Sequence, residues 1–439
     1  MRQTARRLLQ GCFLCLGAVI ALGGVSQAAA TEQDRTLMRD ILQNICREAP
    51  PTNGATEVAT PNPPKTRQGS RQPPVQHSLW RLSSNRYLQV VRPKTPGRAL
   101  IFADLSQGAR GQTPLLRGVV TADCTVLGGR EIRYGTVASK LTPLSVLHLD
   151  ATLQNTGKED GLNPPVPAGR PRDCQRIGVL DNGINYQLPL FKDRLARDAT
   201  GALIGYDVWE QDDRPFDYGV PPRRGPSPVS LFRPNHHGTM VASVVLDYAP
   251  VTACLVPMRY PPFSKGNEVA QAVDYLKSAG VQIVSIQSSR VNDWPVFRRA
   301  IQEAPDMLFI IAAGNNGQDM RQRPSYPTVY DLPNLLVVGG TQANENTLWE
   351  RSNTGQGIVD IAVRATDVPV TRFDGGKAAL SGTSFAAPKV AGFAARLHAQ
   401  NSALRGKALH DALIEQAHKS GVTAGQGIPV LTEQQMRSR

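Results

Sequence analysis

The sequence predicts an α/β protein: a parallel sheet with helices on both faces, preceded by a smaller, mostly-β N-terminal region. Three observations predict it. From Arg176 onward, short apolar runs rich in Val, Ile and Leu alternate with segments of helix length, which is the pattern of strand–helix–strand crossover units. From Ser78 to about Leu153, short β-rich runs alternate instead with Gly and Pro turns, the pattern of a small β domain. After the first thirty residues no apolar run approaches the roughly 18–20 residues that a bilayer-spanning helix needs, so a multi-pass membrane protein is excluded.

The chain of 439 residues opens with what reads as an export signal, residues 1–30. Arg2, Arg6 and Arg7 precede an apolar stretch from Leu8 to about Val25, and Ala28, Ala29 and Ala30 offer an A-x-A cleavage site. An uncleaved anchor helix is the rival reading. Cys12 does not follow the apolar stretch, so lipidation is discounted. The expected location is secreted or periplasmic, with no integral membrane span after signal removal. Cys46, Cys124, Cys174 and Cys254 then remain, an even number in an oxidising compartment. Four cysteines allow three pairings, among which the sequence does not choose. Cys46 with Cys124 and Cys174 with Cys254 keeps each bridge within one proposed domain and is the expectation. A zinc site is the poorer alternative, because none of the four lies in a C-x-x-C pair or at ligand spacing from a histidine.

Residues 31–77 read as an amphipathic helix, with Leu37, Ile41, Leu42 and Ile45 at helical spacing, and a Pro-rich spacer from Pro50 to Pro74. Residues 78–170 read as the β domain, with strands at Tyr87–Val91, Ala99–Ala103, Leu115–Val120 and Val146–Leu149, closing in a Gly/Pro-rich connector from Asn155 to Pro171. The net charge is +13, and Val58 to Ala103 contains no acid but holds Lys65, Arg67, Arg71, Arg81, Arg86, Arg92, Lys94 and Arg98. An anionic envelope surface is the candidate partner of this basic arm. Solvated charge on a linker face is the competing reading and is favoured. No nucleic acid is expected, because aromatic residues are not interleaved for base stacking.

Residues 171–420 carry the predicted parallel sheet. Its strands are Ile177–Leu180, Thr252–Met258, Gln282–Ile286, Leu308–Ala312 and Leu335–Gly339; its helices are Gly238–Leu246, Glu268–Ser278, Pro295–Glu303 and Ser384–Ala399. Residues 421–439 read as a tail. In such sheets chemistry gathers beyond the carboxyl ends of the strands. There the sequence places Asp181-Asn182-Gly183 at a strand end, Asn235-His236-His237-Gly238-Thr239 at a helix start, and Ser381-Gly382-Thr383-Ser384 at another. Serine is a poor nucleophile unless a base stands within hydrogen-bond reach, and a carboxylate on the other ring nitrogen fixes the imidazole tautomer. The strand Leu308–Ala312 runs into Ala313-Gly314-Asn315-Asn316, where the Asn315 amide can donate to a developing oxyanion.

On these residues the sequence resembles the subtilisin-like serine proteases (subtilases), over about Arg176 to Gln400. The family segments D-[ST]-G-[IV], H-G-T-H-V-A-G, A-A-G-N and G-T-S-[MF]-[AS]-x-P read here Asp181-Asn182-Gly183-Ile184, His237-Gly238-Thr239-Met240-Val241-Ala242-Ser243, Ala312-Ala313-Gly314-Asn315 and Gly382-Thr383-Ser384-Phe385-Ala386-Ala387-Pro388. Four motifs in family order form a specific signal. The resemblance implies a serine endopeptidase on a subtilisin-like parallel sheet, with Asp181, His237, Ser384 and Asn315 catalytic and a polypeptide substrate; this chemistry needs no cofactor, and no metal is assigned. Gln287, Ser288 and Ser289, with Ala313 and Gly314, would line the substrate channel. Gln287-Ser288-Ser289-Arg290 departs from the family's Ser-Leu-Gly-Gly there, so side-chain preference does not carry over.

His236 reads as a neighbour of the base, and Asp150, Asp173 and Asp217 as ordinary loop acids. The segment Tyr186–Pro234, with Trp209, Asp212, Asp213, Arg214, Pro215, Arg223 and Arg224, is longer than in compact relatives and is expected to form a rim loop without calcium spacing. Two alternatives stay open: an N-terminal region that is a removed propeptide, and an envelope binding or scaffold protein whose protease site is occluded or unused.

Overall fold

A computed structural model describes residues 30–438, apart from 48–51, 53, 59–74, 94–99, 109–112, 138–139, 219–230, 233–235 and 261–266. The segment expected to be an export signal, with Cys12 and Cys15, lies outside the described residues except for Ala30, as do Lys65, Arg67, Arg71, Lys94, Arg98, Arg223 and Arg224.

Helix α1 (Glu32–Asn44) starts at a capping box in which Thr31 and Asp34 satisfy one another's free backbone donors. Its apolar stripe of Met38, Ile41 and Leu42 is fully buried. The stripe packs on a meander of eight antiparallel strands: β1 (Thr56–Val58), β2 (Val75–Arg81), β3 (Arg86–Pro93), β4 (Ile101–Gln107), β5 (Thr113–Val120), β6 (Val126–Val137), β7 (Lys140–Leu149) and β8 (Asn155–Gly161), hydrogen-bonded in chain order. Ion pairs Asp34–Arg86 (2.8 Å) and Arg35–Glu131 (2.8 Å) fasten the helix to β3 and β6. The helix expected to precede the domain is therefore part of its core. Strand β1 forms inside the expected spacer, and β8 forms inside the expected connector. Of the basic arm, Arg86 is committed to Asp34 and Arg92 to the carbonyl of Ile45.

The second sheet is parallel throughout, in the order β10-β11-β9-β12-β13-β14-β15. Its members are β9 (Gln175–Asp181), β10 (Tyr206–Asp207), β11 (Ala253–Arg259), β12 (Ile283–Ile286), β13 (Leu308–Ala312), β14 (Leu335–Thr341) and β15 (Ile361–Arg364). Side chains alternate between faces along each strand. Ile177, Val179, Ile283, Leu308 and Ile310 face α2 (His237–Tyr248) and α5 (Thr383–Gln400). Leu180, Val284, Ile286, Phe309 and Ile311 face α3 (Asn267–Ser278) and α4 (Pro295–Gln302). Burial on both sides explains why these strands read as continuous apolar runs. A hairpin of β16 (Val368–Thr371) and β17 (Lys377–Leu380) follows the sheet.

Both cysteine pairs join as expected, Cys46 with Cys124 and Cys174 with Cys254, with Cα atoms 5.7 and 5.8 Å apart. Two other segments depart from expectation. Residues 421–438 are packed structure: after α6 (Gly406–Lys419), the hairpin β18 (Thr423–Ala424) and β19 (Ile428–Pro429) leads to the Leu431 N–H, which donates to the Ala362 carbonyl. Helix α7 (Glu433–Arg437) then buries Met436. The described part of the 186–234 segment is also more than a rim. Phe191, Phe216, Asp217 and Tyr218 are buried, and Asp207 pairs with the buried Arg259 at 2.5 Å. No helix among the described residues is long and apolar enough to cross a membrane.

Candidate active site

Strand β9 ends at Asp181, whose carboxylate is nearly buried and accepts the Asn182 N–H at 2.8 Å. The chain then turns through Gly183 at φ +83°, where a side chain would be strained and a Cβ would meet the Pro215 carbonyl at 2.4 Å. Helix α2 docks on this turn. A Cβ at Gly238 would fall 2.0 Å from the Gly183 carbonyl, so only glycine lets the two backbones approach. That approach sets the imidazole of His237 beside Asp181, with Nδ1 at 2.8 and 3.0 Å from the two carboxylate oxygens. A carboxylate facing Nδ1 makes that nitrogen the donor, so the neutral ring presents Nε2 as the acceptor. Burial disfavours the imidazolium, but the charge and hydrogen bond of Asp181 outweigh it, with a smaller contribution from Asp217. The His237 pKa is thereby held above its ordinary 6.5.

Ser384 lies in the first turn of α5. It shares a cavity of about 220 Å³ with Asp181, Asn182, His237, Tyr260, Gln287 and Ser288. The Phe385 ring stands 5.8 Å from that of His237. The Asn315 amide is oriented by Thr383, whose N–H and Oγ1–H both donate to Asn315 Oδ1, at 2.9 and 2.8 Å. With Oδ1 so occupied, Nδ2 is the free donor, and it lies on the Gly382 side at the start of α5. No group of three or more metal-ligating side chains is found among the described residues.

Of the residues expected in the substrate channel, Gln287 and Ser288 line this cavity. Ala313 and Gly314 instead have their backbone groups engaged elsewhere. Ala313 donates to the Val338 carbonyl and accepts from Asn353 Nδ2; Gly314 donates to Thr383 Oγ1 and accepts from Asn353 N–H. Ser289 stands behind Gly314, its Oγ 4.0 Å from where a Cβ there would lie. Arg290 pairs its N–H and carbonyl with Tyr326, at 2.9 and 2.7 Å, so its edge is taken by the protein itself.

Three contributors were missed in the sequence. Thr383 lies inside the quoted G-T-S segment but was given no role. Asn353, buried, holds the 313–318 loop through four hydrogen bonds, one each with Ala313, Gly314, Asn316 and Gln318, and nothing in its local sequence marks it. Tyr260 follows β11 directly, and burial raises its pKa.

The fold and the placement of these groups define an α/β protein with its polar side chains gathered beyond the carboxyl ends of the strands. The chain belongs to the subtilase family, whose model matches residues 174–429. It is 27% identical over 241 residues to a thermophilic serine proteinase of Bacillus sp. (strain AK1), covering 52% of each chain. It is 25% identical over 240 residues to thermitase of Thermoactinomyces vulgaris, covering 51% of this chain and 75% of that one. With subtilisin-like protease 1 of Trichophyton rubrum it shares 37% identity over 133 residues, 30% of this chain and 25% of the other. The chain thus spans about half the length of the first of these relatives and a quarter of the last. Among solved structures, a cold adapted subtilisin-like serine proteinase aligns with a TM-score of 0.46 and 23% identity, over 62% of this chain and 95% of that one.

Proposed function

We propose that this chain is a serine endopeptidase working through an acyl-enzyme on Ser384. His237 Nε2 takes the Ser384 hydroxyl proton as Oγ attacks the peptide carbonyl carbon. Asp181 holds the ring and stabilises the imidazolium, and Asn315 Nδ2 with the Ser384 N–H receives the oxyanion. The proton then passes to the leaving amine nitrogen, and water, deprotonated by the same ring, releases the acid. The observation that carries this reading is the Asp181–His237 hydrogen bond at 2.8 Å in a cavity shared with Ser384.

The reading extends to an exported enzyme that retains its N-terminal domain. Two disulfides suit an oxidising compartment. The domain is fastened to the catalytic unit by Arg130 Nη1 on the Phe232 carbonyl (3.1 Å), by the Tyr186 hydroxyl on the Pro164 carbonyl (2.5 Å), and by Asn163 on Asp212 (2.9 Å). The test is labelling of the purified chain by a fluorophosphonate. The native chain labels and Ser384→Ala does not while keeping its circular dichroism; undiminished labelling of the variant overturns the assignment.

A further inference from the structure

Asp217 lies twenty residues before His237 in sequence, yet it is fully buried against the first turn of the same helix. Its Oδ2 accepts the Thr239 N–H at 2.9 Å and the Thr239 hydroxyl at 2.5 Å. The Thr239 oxygen in turn accepts the Asn185 N–H at 3.0 Å, which ties the chain after β9 into the same knot. The backbone carbonyl of Asp217 accepts from His236 Nδ1 at 2.7 Å. The His236 ring lies flat on Phe373, with centroids 3.6 Å apart and planes 14° apart, and the Phe373 carbonyl accepts from Asn185 Nδ2. Segments from three separate parts of the chain thus grip His236 and Thr239, one residue before and two residues after the catalytic imidazole.

One oxygen of this carboxylate is costly. Among the described residues Asp217 Oδ1 is buried with no hydrogen-bond partner, and His236 Nδ1 stands 3.8 Å away. A buried, half-satisfied acid destabilises a fold relative to an apolar residue of similar size. Packing therefore gives no reason for an acid at this position. An acid does offer two things an apolar residue cannot. It closes free N–H groups at the start of a helix, where negative charge is favoured, and it adds a second negative group near an imidazole that must become positive during turnover.

We infer that Asp217 is a positioning residue for His237: through Thr239 and His236 it fixes the first turn of α2 so that the imidazole meets Asp181 and Ser384, and its charge supports the imidazolium. This rests on the triad reading above. The groups facing His237 are Asp181 at the end of β9, Asp217, Tyr260 after β11, and Ser384 and Phe385 on α5. Those facing Asp217 are His236 and Thr239; full burial raises the Asp217 pKa above its ordinary 3.8, while His236 and the Thr239 hydrogen bonds favour its ionised form. Arg259 is held by Asp207, donates to the Tyr218 carbonyl at 3.5 Å and lies over the Trp209 and Tyr218 rings.

The experiment uses the full chain and a peptide substrate, with kcat and KM measured from pH 5 to 9. Asp217→Asn keeps an acceptor for Thr239 and removes the charge. Loss of a negative neighbour favours neutral imidazole, so the rising limb of kcat/KM moves to lower pH, by about half a unit or more. A displaced ring lowers kcat about tenfold or more with KM within about twofold. Thr239→Val removes the hydroxyl contact with Asp217 from the helix side, leaving the backbone one, and lowers kcat likewise, while Thr239→Ser, which keeps the hydroxyl, retains native kcat. A structural role alone would lower the melting temperature without moving the pH limb. The inference is overturned by native kcat and a superimposable profile in Asp217→Asn or, should that variant not fold, in Thr239→Val. Failure of the native chain to label with a fluorophosphonate would instead overturn the triad reading, so the two failures are distinct.

Discussion

Glu433→Ala tests how the C-terminal helix supports the catalytic unit. The Glu433 carboxylate pairs with the Lys389 ammonium, accepts the Tyr248 hydroxyl at 2.5 Å, and meets Arg437 Nε at 3.3 Å. Lys389 is 1% exposed, and its remaining hydrogen bond goes to the Arg364 carbonyl at 2.9 Å. Removing one partner of a buried ion pair costs about 3–5 kcal/mol, because the other charge stays buried and uncompensated. The Glu433 side chain is 20% exposed, so water can enter the gap and the lower end of that range applies, about 3 kcal/mol. For a unit of this size that is a fall of about 6–12 °C in melting temperature. The assay is urea unfolding followed by tryptophan fluorescence, with the active site blocked by a fluorophosphonate to prevent self-digestion. Lys389→Met combined with Glu433→Gln removes both charges and is expected to recover most of the loss. The sign with pH follows from Glu433. Burial opposes its charged form, but Lys389 and the Tyr248 hydrogen bond prevail and hold its pKa below the ordinary 4.5. Its stabilisation is therefore complete above 4.5 and is lost as pH falls through the lower folded value. A loss under about 1 kcal/mol in the single variant, or a double variant no better than the single, refutes the reasoning.

Asn315→Ala removes the proposed oxyanion donor; kcat is expected to fall about 10²–10³-fold with little change in KM, measured on a chromogenic peptide. Replacing both Cys174 and Cys254 by Ala opens a cross-link spanning 80 residues, which loop-closure entropy values at about 4.5 kcal/mol. The urea midpoint should fall accordingly, and an unchanged midpoint would show that the bridge does not constrain the unfolded chain.

The strands of the parallel sheet and the three reactive segments were legible because each obeys a local rule. Strands buried on both faces read as apolar runs, and the reactive side chains sit where such a run meets a glycine turn or a helix start. Strand β8, Asn-Thr-Gly-Lys-Glu-Asp-Gly, carries no such signal: it lies at a sheet edge with almost every side chain exposed, and only its backbone pairing with β7 makes it a strand. The C-terminal segment holds too few apolar residues to form a pattern, yet Ile428, Val430, Leu431 and Met436 are buried because β15, α5 and α6 supply the rest of their surroundings. Asp217 and Asn353 were unreadable for a third reason. Their partners lie 22 and up to 40 residues away in sequence, so no window around either residue contains what satisfies it.

The proposed base and nucleophile stand at the starts of two helices, so their separation depends on how those helices are fixed to each other. Here the fixing contact is backbone on backbone. A Cβ at Gly392 of α5 would fall 2.5 Å from the Val245 carbonyl and 2.7 Å from the Ala249 nitrogen at the far end of α2. Main chain in contact with main chain leaves no rotamer to adjust, unlike side chains that slide or repack. The starts of the two helices are pinned separately, α2 by Gly238 on the β9 turn and α5 by Thr383 on Asn315. Beyond the crossing, Glu433 joins Tyr248 at the end of α2 to Lys389 in the second turn of α5. With both ends and the crossing held, a side-chain change elsewhere in the described part of the 186–234 segment leaves the distance between imidazole and hydroxyl unaltered. Asp217 is the member of that segment for which this independence fails, because its contacts fall on the first turn of α2 itself.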